Sequence, residues 1–191
     1  MEELFPLVNE QGDLIGKATR AFCHSGSFAL HPVVHLHVFN SAGQLFLQKR
    51  SMSKDIQPGM WDTSVGGHVD FVETTELQTD ATAAATQLDS PASWVLSALR
   101  REAREELGII HFEPIFAFRY SFRSIYEFEL VHTFFTVYDG LLTVDPVEIS
   151  EGRFWDISEV LANLGKGVFT PNFEGEIRKV LEAHTSKIFC I

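Results

Sequence analysis

The sequence contains little cysteine. Of its 191 residues only Cys23 and Cys190 are cysteines, one near each end, and no CxxC pair occurs. Small secreted proteins that depend on disulfides carry several cysteines at regular spacings. The sequence therefore does not predict a disulfide framework, and we expect the protein in a reducing compartment.

Long apolar runs are also missing, and so is the pattern of a secretory leader. No stretch approaches the roughly 18 apolar residues that a membrane span needs. The first residues, MEELFPLVNEQGDL, lack the basic and apolar regions of a signal peptide. These absences predict a cytoplasmic protein with no membrane partner.

Positive charge is scarce as well. Lysine and arginine total 15 against 26 aspartate and glutamate residues, which gives a formal net charge of −11. A field of that sign repels phosphate backbones unless a local basic patch or a metal intervenes. We therefore expect no nucleic-acid partner.

What the sequence does contain is enough apolar material for one core. Hydrophobic residues make up 45% and charged residues 21%, close to ordinary globular usage. A chain of this length corresponds to about one domain. We predict a single domain over residues 1–191 with an inserted loop over about 74–93, TTELQTDATAAATQLDSPAS, which has no aromatic residue.

Alternating apolar residues and turn chemistry predict the strands. Two short extended segments within residues 4–18 are expected to pair, and His31–Asn40 and Leu45–Lys49 predict a second hairpin. The strand in WDTSVGGHVDFVE is expected to be interrupted at Gly66 and Gly67. The remaining predicted strands are Ile115–Phe122, Glu127–Val137 and a short run ending at Trp155.

Helical periodicity begins near Ser93, which we expect to be an N-cap, and Gly108 occupies the usual stop position. The apolar stripe of this helix consists of Leu96, Leu99, Ala103 and Leu107. Two further amphipathic helices are predicted at 156–163 and 172–184. Strands mixed with so few helices favour an α/β fold in which a mixed sheet packs between helices.

Three carboxylates share one face near the end of this first long helix. Glu102, Glu105 and Glu106 stand at i, i+3 and i+4, within about 100° of arc. The macrodipole disfavours anions at this end by roughly 0.3–1 kcal/mol each, so a compensating positive charge is expected. Oxygen ligands of this kind suit Mg²⁺ or Mn²⁺. The alternative is a solvated helix face on which Arg101 pairs with Glu105.

The segment from Gly67 to Ile109 resembles the Nudix box, Gx5Ex7REUxEExGU, in which U is aliphatic or small. Gly67 and Glu73 match its first half, and the run REAREELGI, which begins at Arg101, matches every fixed position of its second half. The spacing departs from the family, because 27 residues lie between Glu73 and Arg101 where the motif has seven. This departure affects Glu73 and leaves the helix untouched.

The resemblance implies a Nudix-type α/β/α sandwich and a metal-dependent hydrolase. In that family a divalent metal, here Mg²⁺ or Mn²⁺, is held on the diphosphate of a small molecule, usually a nucleoside diphosphate linked to another moiety, and water attacks phosphorus. The implied metal ligands are Glu102, Glu105, Glu106, Glu73 and the carbonyl of Gly66. The residues expected to take part in catalysis are Glu102, Glu105, Glu148 and Arg101. Arg101 would orient a carboxylate, and the general base is left open among Glu105, Glu148 and Glu151.

A wider resemblance covers most of the chain. The run from Leu7 to Asp70 and the segments near Tyr126 and Trp155 are similar to type 1 isopentenyl-diphosphate isomerase and to the Nudix hydrolases related to it. The residues that match the metal ligands of that enzyme are His24, His31, His68, Glu127 and Glu129. A mixed nitrogen and oxygen set suits Mn²⁺ or Zn²⁺, so a second metal is expected. The residues that match its diphosphate-binding side chains are Arg20, Arg50 and Lys54.

Each of these matches has a plainer alternative. A single histidine is more often a surface or core residue than a ligand, and surface charge accounts for the basic side chains as well as phosphate contact does. His35 and His37 alternate with His31 on a predicted strand. We interpret these two as residues of one strand face that carry no chemistry.

The resemblance to the isomerase breaks at the position of its proton-transferring cysteine, which Gly66 occupies here. The box, by contrast, is complete in this chain and degenerate in the isomerase, so both departures favour hydrolysis. Two alternatives stay open. One is an isomerase-like enzyme acting on a prenyl diphosphate. The other is a sensing module that binds a nucleotide ligand without turnover, with the loop at 74–93 displacing Glu73 or covering the site.

Overall fold

The computed structural model describes residues 2–71 and 91–188. Within these ranges the chain forms nine strands and four helices. In chain order they are β1 (Leu4–Val8), β2 (Leu14–Thr19), α1 (Arg20–Cys23), β3 (Leu30–Phe39), β4 (Leu45–Arg50), β5 (Trp61–Asp62), β6 (Val65–His68), α2 (Ser93–Leu107), β7 (Ile115–Arg123), β8 (Phe128–Val137), β9 (Ile149–Trp155), α3 (Ile157–Asn163) and α4 (Pro171–Ile188).

The strands form a small hairpin and one larger sheet. β1 and β2 pair antiparallel in a sheet of their own. The larger sheet has seven strands in the order β5-β4-β3-β8-β7, with β6 paired to β3 and β9 paired to β4. β3 and β4 meet across the turn closed by Asn40 and Gln44. Both predicted hairpins are confirmed, and so is the α/β fold with a mixed sheet.

The predicted interruption at Gly66 and Gly67 is wrong, because both glycines lie inside β6. The break falls at Thr63 and Ser64, between β5 and β6. The Ser64 hydroxyl donates to the carbonyl of Phe46 at 2.5 Å and accepts from the backbone N–H of Val38 at 2.8 Å. A side chain here takes over the hydrogen bonds that a continuous strand makes with its backbone, so the ladder stops at this point.

The predicted box helix is confirmed as α2, but Ser93 is its first residue and not its N-cap, because the first helical N–H groups donate to the carbonyl of Ala92. Gly108 adopts a left-handed φ of 69° and its N–H donates to the carbonyl of Arg104 at 3.0 Å. The bond from Gly108 to Arg104 is that of an αL stop, and the next N–H, of Ile109, reaches the carbonyl of Ala103 at 3.1 Å. On the predicted stripe, three side chains are fully buried, those of Leu99, Ala103 and Leu107.

Two of the other helices were predicted from the sequence, and a third, α1, was not. α3 and α4 confirm the helices predicted at 156–163 and 172–184. The single-turn α1 was not expected, and the Thr19 hydroxyl caps it by accepting from the N–H of Phe22 at 3.2 Å. Up to residue 90 the predicted insertion lies outside the described residues, as does Glu73. In the described ranges, no helix combines the length and apolar character needed to cross a membrane.

The backbone contacts divide the chain into two compact units. The first comprises Met1–Val34, Gly67–Arg100 and Phe118–His132, and the second comprises His35–Gly66, Arg101–Ala117 and Thr133–Ile191. The second unit has an aromatic core in which Trp155 packs edge-on against Trp61 with ring centroids 5.0 Å apart. That the whole chain is one domain stays a prediction.

The first unit contains a buried histidine, His132, which is 4% exposed. Burial, together with the charge of Arg119, lowers the pKa of His132 to about 4 from 6.5. In the unfolded chain the imidazole takes up a proton near its ordinary pKa, whereas in the folded chain it stays neutral down to about pH 4. Its contribution to stability is complete above pH 6.5 and is lost as the pH falls through this window.

We therefore expect about 3 kcal/mol of stability to be lost between pH 6.5 and pH 4 through His132 alone. His132→Phe removes the titrating group and keeps a ring, so it should flatten this part of the pH profile of urea unfolding. The exposed His111 supplies the control. Equal flattening in His111→Gln would show that the pH dependence has another source.

Candidate functional site

Five of the predicted ligands lie together in the first unit, and we refer to them as the His-Glu cluster. They come from separate elements: the C-cap of α1, the second residue of β3, the last residue of β6, and the start of β8. The cluster consists of His24, His31, His68, Glu127 and Glu129. The donor atoms of the three histidines lie within 4.8 Å of one another, and so do those of His68, Glu127 and Glu129.

The buried ring of Phe5 arranges the three imidazoles. Its centroid lies 4.5 Å from that of His68, 5.5 Å from that of His31 and 5.9 Å from that of His24. Backbone bonds hold the segments in register, because the N–H of Phe71 donates to the carbonyl of Leu4 at 2.7 Å. The local fold therefore gathers residues that are distant in sequence around one aromatic face.

Side chains of the cluster lie within hydrogen-bond or ion-pair distance of one another. His24 Nε2 lies 3.1 Å from His68 Nε2 and 3.5 Å from Glu127 Oε2. Glu127 and Glu129 are 7% and 8% exposed. Two buried carboxylates so close to imidazoles need positive charge nearby, which either protonated histidines or a cation supplies.

The surroundings of His31 show whether the His-Glu cluster suits a metal ion. Its Nδ1 lies 2.9 Å from the carbonyl of Ala29 and donates to it, and burial lowers the pKa of the ring. The opposite nitrogen, Nε2, is buried and has no hydrogen-bond partner among the described residues. A neutral imidazole oriented by a backbone carbonyl, with its other nitrogen unsatisfied, is the form in which histidine binds metals. The cluster therefore fits the expected Mn²⁺ or Zn²⁺, and its occupancy stays a prediction.

The second unit contains the box carboxylates, of which Glu106 turns inward. Glu106 is 7% exposed, and its Oε2 accepts from the side-chain amide of Gln48 at 2.9 Å and from the N–H of Gly66 at 3.3 Å. Burial, aided by the nearby charge of Glu102, raises the pKa of Glu106 to about 8. The contact made by Gly66 is through its N–H, while the ligand role expected of its carbonyl stays a prediction.

The other two box carboxylates are held by Arg101. Its Nη1 lies 2.9 Å from Glu102 Oε1 and 3.1 Å from Glu105 Oε2. The side chain of Glu102 is 13% exposed and that of Glu105 is 50% exposed. The compensating positive charge expected at this helix end is thus present in the form of Arg101.

The three box carboxylates are less tightly gathered than the sequence suggested. Among described residues, groups of three or more possible ligand atoms within 4.8 Å of one another occur only in the His-Glu cluster. Glu106 points toward Gln48, whereas Arg101 holds the other two carboxylates on a more exposed part of the same helix. A metal site at the box remains compatible with the oxygen donors present and stays a prediction.

The remaining acidic candidates are engaged in ion pairs. Glu148 pairs with Lys54, and Glu151 lies 3.9 Å from the ammonium of Lys49 on an exposed surface. Glu148 is therefore placed beside a residue expected to bind phosphate. The ion pair of Glu151 is one that solvent screens strongly.

The three basic candidates also have acidic partners. Arg20 lies in the first unit, exposed, with its Nη1 3.4 Å from Glu3. Arg50 and Lys54 lie in the second unit. Arg50 is the last residue of β4 and pairs with Asp62 at 3.1 Å, and Lys54 lies in the loop between β4 and β5. The structure thus places Arg50 at the base of the loop that contains Lys54.

The sequence patterns did not predict a buried polar network around Glu176 of α4. Glu176 accepts from His35 Nδ1 at 2.8 Å, from His37 Nε2 at 3.0 Å and from the Thr133 hydroxyl at 3.0 Å. Burial alone would raise the pKa of Glu176, but the two histidines outweigh it and hold the pKa below its ordinary value. The interpretation of His35 and His37 as a plain strand face was therefore incomplete. The available signal was Glu176 itself, an acid four residues before Val180 on an apolar stripe.

Comparison with known proteins places this geometry in a family. No family model matches the chain. Over 190 residues it is 28% identical to an isopentenyl-diphosphate Delta-isomerase 1 of Photorhabdus laumondii, covering 95% of this chain and 97% of that protein. Over 176 residues it is 30% identical to an uncharacterised Nudix hydrolase of Listeria monocytogenes, covering 91% of this chain and 90% of that protein.

A solved structure extends the likeness to the fold. The crystal structure of the Deinococcus radiodurans protein DR0079 matches with a TM-score of 0.67 at 26% identity. The match covers 93% of this chain and 98% of that one. Near full-length similarity in sequence and fold thus accompanies the complete box helix and the His-Glu cluster. The chain belongs to the Nudix superfamily, in the branch that is similar to isopentenyl-diphosphate isomerase.

Proposed function

We propose that this protein is a metal-dependent hydrolase that cleaves a phosphoanhydride bond in a small diphosphate. A nucleoside diphosphate linked to another moiety is the substrate class that we favour. The proposal draws on the complete box helix and on the Nudix hydrolase relative of Listeria monocytogenes. It assigns Mg²⁺ or Mn²⁺ to the box carboxylates.

Buried Glu106 is the observation that carries the proposal. Burial and the charge of Glu102 raise the pKa of Glu106. The hydrogen bonds from the neutral donors Gln48 and Gly66, with the charge of Lys54, offset this rise only in part. A divalent cation is the partner that makes an ionised carboxylate favourable at such a site. Glu102 and Glu105 would complete an oxygen set of the kind that Mg²⁺ and Mn²⁺ prefer.

The proposal gives each residue of the site a separate role. Charge neutralisation of the diphosphate and acidification of the attacking water are the chemistry that a bound divalent ion supplies. Arg101 orients Glu102 and Glu105 through its two ion pairs. The proton of the attacking water goes to one of the candidate bases Glu105, Glu148 and Glu151, of which Glu105 is half exposed. Arg50, at the end of β4, and Lys54, in the loop after it, bind the phosphates.

Isomerisation of a prenyl diphosphate is the second candidate, and the His-Glu cluster favours it because all five matching ligands converge. The isomerase relative of Photorhabdus laumondii supports it as well. Against it stands position 66, where a glycine replaces the expected thiol. Cys23 is a poor substitute, because it is fully buried and burial raises the pKa of its thiol.

A substrate panel tests the proposal. Nucleoside diphosphate derivatives and prenyl diphosphates are incubated with Mg²⁺, with Mn²⁺ and with chelator, and the products are separated by mass spectrometry and NMR. We expect at least one nucleoside diphosphate derivative to yield phosphorylated products, with the reaction lost in chelator. An isomerised prenyl product without cleavage would establish the second candidate. Tight binding without any product would contradict both and indicate a sensing module.

A further inference from the structure

We infer that Asp62 is the positioning residue of the diphosphate subsite, because it fixes the guanidinium of Arg50 in the direction of the phosphates. The inference rests on the proposed function, in which Arg50 binds the substrate. No pattern in the sequence singles out Asp62. It stands in β5, directly before the Thr63 and Ser64 break.

Arg50 stands at the base of the loop between β4 and β5, where backbone hydrogen bonds fix its main chain. The N–H of Arg50 donates to the carbonyl of Met60 at 2.9 Å, and its carbonyl accepts from the N–H of Gly59 at 3.0 Å. Only the side-chain torsions of Arg50 are then free to vary. The contacts that the guanidinium makes therefore decide which way its N–H donors face.

Two contacts hold that guanidinium. Its Nε donates to the carbonyl of Ile56 at 3.1 Å, and its Nη1 donates to Asp62 Oδ2 at 3.1 Å. An arginine has five N–H donors, so these two bonds leave three for an incoming acceptor. The fork of a guanidinium matches two phosphate oxygens at once, which a flexible ammonium does not.

Asp62 is itself rigid. Its Oδ1 accepts from the N–H of Thr63 at 2.9 Å and from the hydroxyl of Thr170 at 2.8 Å. Thr170 is anchored in turn, because its N–H donates to the carbonyl of Trp61 at 2.9 Å. One carboxylate oxygen is thus tied to the scaffold and the other faces Arg50. With a side chain only 13% exposed, the carboxylate has little freedom to reorient.

The alternative role for Asp62 predicts the opposite sign. If its negative charge merely opposed an incoming anion, removing that charge would tighten anion binding. If it positions Arg50, removing it releases the guanidinium and weakens binding. The direction of the change therefore distinguishes positioning from simple electrostatics.

The test uses Asp62→Asn, which keeps an oxygen for Thr63 and Thr170 but turns an amide donor toward Arg50. The probe is methylenediphosphonate, a diphosphate analogue that cannot be hydrolysed, titrated calorimetrically into the full chain in Mg²⁺. We expect its dissociation constant to rise about tenfold. In steady-state assays with a panel substrate, KM should rise by a similar factor and kcat should stay within about threefold.

Matched variants control for charge and for folding. Asp55→Asn makes the same change in charge on an exposed residue of the loop between β4 and β5 and should leave binding unchanged. Thr170→Val removes one anchor of Asp62 and should weaken binding about threefold. It supplies the readout if Asp62→Asn does not fold.

A double-mutant cycle with Arg50→Ala decides whether Asp62 acts through Arg50. Positioning predicts that Asp62→Asn has no further effect once Arg50 is alanine. Tighter binding by Asp62→Asn, or the same loss in both backgrounds, would overturn the inference. Arg50→Ala without effect on binding would overturn it too. Because binding is measured without turnover, failure of the whole substrate panel is a separate result that bears on the proposed function.

Discussion

Glu106→Gln is expected to lower kcat at least a thousandfold while leaving the fold intact, a loss of about 4 kcal/mol of transition-state stabilisation. The amide keeps the shape of the side chain and still accepts from the N–H of Gly66. It carries no charge, however, and it can no longer serve as an anionic metal ligand. The measurement is single-turnover hydrolysis of the best panel substrate in saturating Mg²⁺.

The same variant should be more stable than the parent protein in chelator. Burial raises the pKa of Glu106 to about 8 from 4.5, so the folded state retains a proton that the unfolded state releases. The stability of the metal-free parent therefore declines as the pH rises from 4.5 to 8, by an amount on the order of a few kcal/mol. Glu106→Gln lacks this decline, and thermal melting in EDTA between pH 5 and pH 9 measures the difference.

Glu105→Gln is the matched control. It makes the same chemical change on the same helix, but at a half-exposed side chain paired with Arg101. We expect it to lose activity without any gain in stability at high pH. Retention of full turnover by Glu106→Gln would show that the box helix is not the catalytic centre.

Replacing His24 and His31 together by alanine is expected to remove one bound metal per chain. The wild-type protein, loaded with Mn²⁺ or Zn²⁺ and desalted, should retain about one equivalent in the His-Glu cluster by elemental analysis. Loss of two of three nitrogen donors should weaken binding at least a hundredfold, since even outer-sphere partners of metal ligands contribute about 10–100-fold.

Two comparisons make this experiment decisive. His111→Ala changes an exposed histidine outside the cluster and should retain the full metal content. If the double variant keeps its metal, the convergence of the cluster is only a feature of packing. Hydrolysis that survives the loss of this metal would separate the cluster from the box chemistry, whereas loss of both would couple them.

Local sequence patterns were sufficient to predict much of the secondary structure of this protein. The apolar stripe and Gly108 predicted α2 and its end, and turn chemistry predicted both hairpins. The five residues of the His-Glu cluster were identified by their match to a known pattern. These features depend on spacing along the chain, which a sequence displays directly.

The features that were missed depend on partners far away in sequence. Glu106 and Gln48 are 58 residues apart, and Glu176 and His35 are 141 residues apart. Helical periodicity places Glu102, Glu105 and Glu106 on one face, but it does not show that Glu106 is buried against Gln48. The break at Ser64 was likewise misplaced, because its hydroxyl bonds to the backbones of other strands.

Gly66 occupies a position at which the fold has room for a larger side chain. Its backbone lies outside the left-handed region, and a Cβ built on it would meet the side chains of Thr63 at 3.5 Å and His35 at 3.6 Å, both ordinary van der Waals separations. The scaffold thus accepts a side chain at the position that matches the isomerase cysteine. One substitution could therefore introduce a thiol at this position without remodelling of the backbone.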